Sequence, residues 1–132
     1  MAFKSVHITE AEFAVLSALW ELQPATIRQI ADRLYPGGRA SEYATVQKLI
    51  DRLEDKGAVA RDRSLYVHRF TAQLTRDDLV EGNLRDVAEK LCDGSLTPVL
   101  MHLVQMVKLS DADRAALRRL IDEAPKDKGG TP

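Results

Sequence analysis

Two helix-start signatures near the beginning of the chain constrain its fold more than any other feature. In Thr9-Glu10-Ala11-Glu12, and again in Thr26-Ile27-Arg28-Gln29, a hydroxyl can accept an orphan helix N–H while the Glu or Gln three residues later reaches back to the cap. Each opens a run with helical spacing: Leu16, Leu19 and Trp20 in the first, Ile27, Ile30, Ala31 and Leu34 in the second. Ile8 and Phe13 occupy the staple positions of the first helix. Pro24 and Pro36-Gly37-Gly38 supply stops, so the first helix is expected over about Glu10 to Leu22 and a shorter one after Thr26. Ser41 is expected to cap a third helix, about Glu42 to Lys56, closed by Gly57. Its apolar positions Val46, Leu49, Ile50 and Leu53 form one narrow stripe for burial.

After Gly57 the period changes from helical to alternating. Ala58 to Arg61 and Leu65 to Phe70 read as two strands around Asp62-Arg63-Ser64, with Tyr66, His68 and Phe70 on one face of the second. Three helices then a two-stranded ribbon is the order of a winged helix-turn-helix. Beyond it Thr75 is expected to cap a long helix to about Asp93, with Leu74 and Leu79 as its staple and Asp77 and Asp78 at the positive end of its dipole. Thr97-Pro98 and Ser110-Asp111-Ala112-Asp113 open two more. The expectation is a mainly α chain: a winged helix over residues 1–73, a helical region over 74–124 and a frayed tail over 125–132.

Composition removes most other classes. The 132 residues are 45% apolar, 30% charged and 5% aromatic, the profile of a soluble helix-rich protein. The lone Cys92 excludes an internal disulfide framework and a multi-cysteine zinc site. The longest apolar stretch, Val99 to Val107, is broken by His102 and Gln105, which argues against membrane insertion. Met1-Ala2-Phe3-Lys4 lacks an apolar signal core, and a cytoplasmic location is expected. No Gly-rich phosphate loop or metal-ligand spacing appears, so neither a cofactor nor a metal is expected. Cys92 and His102 are the one Cys/His pair to weigh for catalysis; Cys92 in an apolar stretch reads as packing, and no enzyme is expected.

In a winged helix the third helix enters the major groove. Opposite its apolar stripe this chain presents Tyr43, Ala44, Thr45, Gln47, Lys48 and Arg52. Hydroxyls, an amide, cations and small methyls are the groups that contact phosphates and base edges. Arg39 precedes the helix, backbone N–H groups near Ser41 could hold a phosphate, and Arg63 is expected at the ribbon tip within reach of the duplex. Charge works against this: the net is −1, and Glu42, Asp51, Glu54 and Asp55 lie on or near the same face. Residues 1–73 carry ten basic and nine acidic side chains, so no strong basic patch recommends DNA. The alternative is a winged-helix module that docks another protein.

Several segments together tip the balance. Leu16-Ser17-Ala18-Leu19-Trp20, Thr26-Ile27-Arg28-Gln29-Ile30, the run from Tyr43-Ala44-Thr45-Val46 to Asp51-Arg52-Leu53, and Lys56-Gly57 resemble the penicillinase-repressor (BlaI/MecI/CopY) family over about residues 8 to 123. The resemblance implies a homodimeric repressor that binds double-stranded, palindromic operator DNA and interlocks through its C-terminal helices. Leu84, Val87, Leu91, Leu100, Leu103, Val104, Val107, Leu117 and Leu120 are the residues expected at that dimer interface, being more apolar surface than three short helices can bury alone. Many members are cut by a membrane-bound sensor metalloprotease, which the resemblance offers as a partner. The family's Asn-Phe scissile bond falls at His102-Leu103, where the residues differ, and the alternative is that His102 is an ordinary polar residue on an amphipathic helix. The cysteine cluster of the copper-responsive branch is absent.

Overall fold

A computed structural model describes residues 6–126. Among them are six helices and two strands: α1 (Glu10–Leu22), α2 (Ile27–Leu34), α3 (Ala40–Asp55), β1 (Val59–Asp62), β2 (Arg69–Ala72), α4 (Arg76–Leu91), α5 (Thr97–Met106) and α6 (Asp111–Glu123). The fold is a mainly α winged helix-turn-helix followed by further helices. The chain divides into two compact units, residues 1–82 and 83–132. The start at Met1 to Lys4 lies outside the described residues, as does all of the expected tail except Pro125 and Lys126.

Local chemistry sets the helix ends. The reciprocal cap at Thr9 and Glu12 is formed at both bonds, 2.9 and 3.2 Å, and that at Thr26 and Gln29 at 2.8 and 3.1 Å. Thr75 with Asp78, and Ser110 with Asp113, repeat it at α4 and α6. Two expected caps are corrected. Ser41 lies inside α3; Arg39 is the capping residue and makes no side-chain cap bond, while the Ser41 hydroxyl donates to the Glu42 carboxylate at 2.7 Å. Thr97 is already helical: Leu96 is the cap of α5, and the Ser95 hydroxyl accepts the Thr97 N–H at 3.4 Å. Gly57, at φ 77°, takes the left-handed turn that lets the chain leave α3 and enter β1.

In the first unit α1, α2 and α3 enclose a core in which Leu16, Leu19, Ile30, Val46, Ile50 and Leu53 are fully buried. The ribbon packs Phe70 into it, also fully buried. Here too the sequence expectation is corrected. The antiparallel pairing runs from Val59–Ala72 to Asp62–Arg69, so residues 63–68 are the connecting loop, and Tyr66 is not on a strand. Two contacts hold this later register. Phe70 exchanges backbone hydrogen bonds with Ala25 at 2.7 and 3.1 Å, adding a one-residue bridge beyond β2. Asp62 accepts the Ser64 N–H at 2.9 Å and turns the chain away from the ladder.

The start of α4 is fastened within this unit. The Trp20 indole donates to the Leu74 carbonyl at 2.8 Å, and the Arg76 guanidinium lies over the rings of Trp20 and Phe13 at 5.1 and 5.7 Å. Phe13 packs edge-to-face on Trp20. In the second unit, Asp93 and Gly94 both take positive φ and end α4. No residue of α5 or α6 is buried. Among the described residues, no helix is long and apolar enough to cross a membrane.

Candidate nucleic-acid interface

The stripe Val46, Leu49, Ile50 and Leu53 turns into the core and fixes the rotation of α3. Ser41, Tyr43, Ala44, Thr45, Gln47, Lys48 and Arg52 are therefore all exposed, with Arg39 exposed just ahead of them. Their local bonds define what each can offer. The Thr45 hydroxyl donates to the Ser41 carbonyl at 3.0 Å, which commits its proton and leaves its oxygen to act as an acceptor. Arg28, from α2, places its guanidinium 5.9 Å from the centre of the Tyr43 ring and orders that side chain from one side. The Ser41 hydroxyl bond holds the Glu42 carboxyl below its ordinary pKa, so it is ionised at neutral pH. The Arg39 side chain does not cap α3, but its first turn is not empty: the Glu42 N–H bonds the Arg39 carbonyl at 3.1 Å, and the Glu42 carboxylate takes the backbone N–H groups of Arg39 and Glu42.

A groove of about 380 Å³ separates α3 from the ribbon, and Tyr43, Gln47, Tyr66, Val67 and His68 line it. The exposed summit of the connecting loop is apolar, comprising Leu65, Tyr66 and Val67. Arg63 is not at this tip. It opens the loop and pairs with Glu54 of α3 at 3.7 Å.

A residue the sequence reading passed over organises the acidic half of α3. Arg61, on β1, donates from Nη2 to Asp51 at 2.9 Å and to Glu54 at 2.9 Å, and from Nε to Glu54 at 3.2 Å. Its Nη1 faces His68 Nδ1 at 3.3 Å, and its Cζ lies over the Phe70 ring, 4.9 Å from the ring centre. Burial works against this charge, but Glu54 and Asp51 outweigh it and raise the guanidinium pKa. The signal available in sequence was weak. Asp51 and Glu54 lie one helical turn apart, yet only the strand register brings Arg61 opposite them.

The residues expected at a dimer interface are apolar and, in the single chain, largely uncovered. Val87, Leu91, Leu100, Leu103, Val104, Val107 and Leu120 are exposed, Leu91 by 80%, while Leu84 and Leu117 are half-buried. His102 is exposed beside Leu103 in the middle of α5.

Comparison with known proteins agrees with this architecture. The family described as "Penicillinase repressor" matches residues 8–123. Over 131 residues the chain is 34% identical to "Transcriptional regulator BlaI" of Mycobacterium tuberculosis, covering 98% of this chain and 93% of that protein. It is 22% identical to a "Penicillinase repressor" of Staphylococcus aureus over 96% of this chain and 99% of the other. A likeness over a shorter stretch, 25% identity over 70% of this chain and 61% of the other, is to "HTH-type transcriptional regulator MgrA" of the same species.

Proposed function

The chain belongs to the penicillinase repressor family, and from that premise we propose that it is a homodimeric repressor of transcription that reads a palindromic operator with α3. The observation that carries this reading is the division of α3 into a buried stripe and an opposite face of exposed hydroxyl, amide and cationic groups. Lys48, Arg52 and Arg39, with the backbone N–H at Ser41, supply phosphate contacts that fix the register. Tyr43, Ala44, Thr45 and Gln47 face base edges and methyl groups. Residues 1–73 are thus the DNA-reading part and residues 74–124 the dimerising part. Two copies present two α3 helices to half-sites roughly 34–36 Å apart. Each arm alone binds weakly, and the linkage raises the effective concentration of the second.

Equilibrium binding to a duplex from upstream of its own coding sequence, followed over a salt series, tests the reading. Affinity falls log-linearly as salt rises. Lys48→Ala weakens operator and random duplex alike and flattens that slope by about one ion. Tyr43→Phe and Thr45→Val instead narrow the gap between operator and random DNA by about 1–3 kcal/mol. Failure of the unaltered chain to bind any duplex at low salt favours the protein-docking alternative. Inactivation by proteolysis is a separate part of the proposal. A cognate membrane metalloprotease would cut His102–Leu103 within α5, giving fragments that mass spectrometry identifies by their new ends.

A further inference from the structure

The exposed face of α3 carries a contradiction. Tyr43, Gln47, Asp51 and Glu54 succeed one another at spacings of four, four and three, one row along the helix. The row that begins with hydrogen-bonding groups suited to DNA thus continues into two carboxylates, which repel phosphate. We propose that Arg61 is a positioning residue for DNA reading, which cancels these two carboxylates so that the row can lie along a polyanion. This rests on the DNA-binding reading above and adds the device that permits it.

Three features of the geometry support the assignment. The guanidinium is committed: Nε and Nη2 go to Glu54 and Asp51, and Nη1 faces His68. With its side chain 16% exposed, it is a poor candidate for gripping a phosphate itself. Second, the charges balance locally, since Arg61 and Arg63 offset Asp51 and Glu54 and removal of Arg61 leaves a net negative patch. Third, Arg61 lies over Phe70, which is fully buried and bridged to Ala25, so the cation rests on a ring anchored in the core. A fork-shaped cation reaching two carboxylates is work that Lys cannot do as well.

The test is rescue. Binding of the full-length protein to its upstream duplex and to a random duplex is measured for Arg61→Gln, and for Arg61→Gln combined with Asp51→Asn and Glu54→Gln. Arg61→Gln is expected to weaken both duplexes about tenfold at low salt through the exposed carboxylates. The triple variant, having no carboxylates left to mask, should recover most of that loss. A triple variant as weak as Arg61→Gln overturns the proposal and points to Arg61 touching DNA directly or serving only to hold the ribbon. Normal binding by Arg61→Gln overturns it too. Should Arg61→Gln fail to fold, Asp51→Asn with Glu54→Gln in the otherwise unaltered chain decides: with nothing left to offset Arg61 and Arg63, the local charge turns positive and should tighten both duplexes severalfold at low salt, and unchanged or weaker binding refutes masking. If the unaltered protein binds neither duplex, the DNA-binding reading itself fails, which is a different outcome from any of these.

Discussion

Glu12 does two jobs, and only the first was visible in its sequence position. Its Oε1 takes the Thr9 N–H at 2.9 Å as the capping box requires, and also the Lys56 ammonium at 2.6 Å. Lys56 in turn donates to the His7 carbonyl at 2.8 Å. The carboxylate is fully buried, which pushes its pKa up, but the bonds from Lys56 and Thr9 outweigh burial and leave it below the ordinary 4.5. Because the folded pKa is the lower one, the stabilisation is complete above the unfolded value and lost as pH falls through the folded one. Glu12→Gln should therefore cost about 2 kcal/mol in urea unfolding at pH 7, by breaking a largely buried charged hydrogen bond. The deficit should shrink as the pH falls below 4.5 and through the lowered folded value; an equal deficit at neutral and acid pH would rule out the ion pair as its source. Residue chemistry of this kind is half legible. A Glu at the third position of a helix announces a cap, but its partner 44 residues away does not.

At the scale of elements, helices were easier to read than the ribbon. The bounds of α1 and α6 follow from hydroxyls and acids within four residues of each other, so the sequence contains the whole interaction. At α3 the same logic misleads, because Ser41 gives its hydroxyl to the neighbouring Glu42 and a turn closed by the Gly38 N–H on the Tyr35 carbonyl starts the helix earlier. Substitutions separate the two cases. Thr26→Ala removes a true cap and should destabilise by about 1 kcal/mol, whereas Ser41→Ala should leave the unfolding midpoint nearly unchanged. A comparable loss in both would restore Ser41 as the cap. The ribbon was displaced because alternation over Leu65 to Phe70 is a local pattern, while strand register depends on Phe70 reaching Ala25 and the core.

For the whole molecule, the two units differ in how they satisfy their apolar residues. The first closes a core around Leu16, Ile50 and Phe70; α5 and α6 bury nothing in a single chain. An apolar surface of that kind is stable when a second copy covers it, and the proposed dimer provides the cover. Leu103→Asp should accordingly halve the mass seen by sedimentation and abolish tight operator binding, because a charge would be buried without a partner. A variant that still sediments as a dimer would place the interface on other residues. The exposed apolar positions at 87, 91, 100, 103, 104, 107 and 120 were readable from periodicity, since surplus apolar surface is a property of composition and spacing.

What the amino-acid order determined by itself is what rests on neighbours: the capped helices, the stripe that rotates α3, and the family motifs spread along residues 8–123. What only the tertiary structure decided is which charges meet. Arg61 could have been counted as one more cation for DNA; folding instead sets it against Asp51 and Glu54, with Lys56 against Glu12. The physical reason is distance. Coulomb energy and hydrogen bonding act over a few ångströms in space, and residues far apart along the chain acquire such separations only when strand register and core packing are fixed.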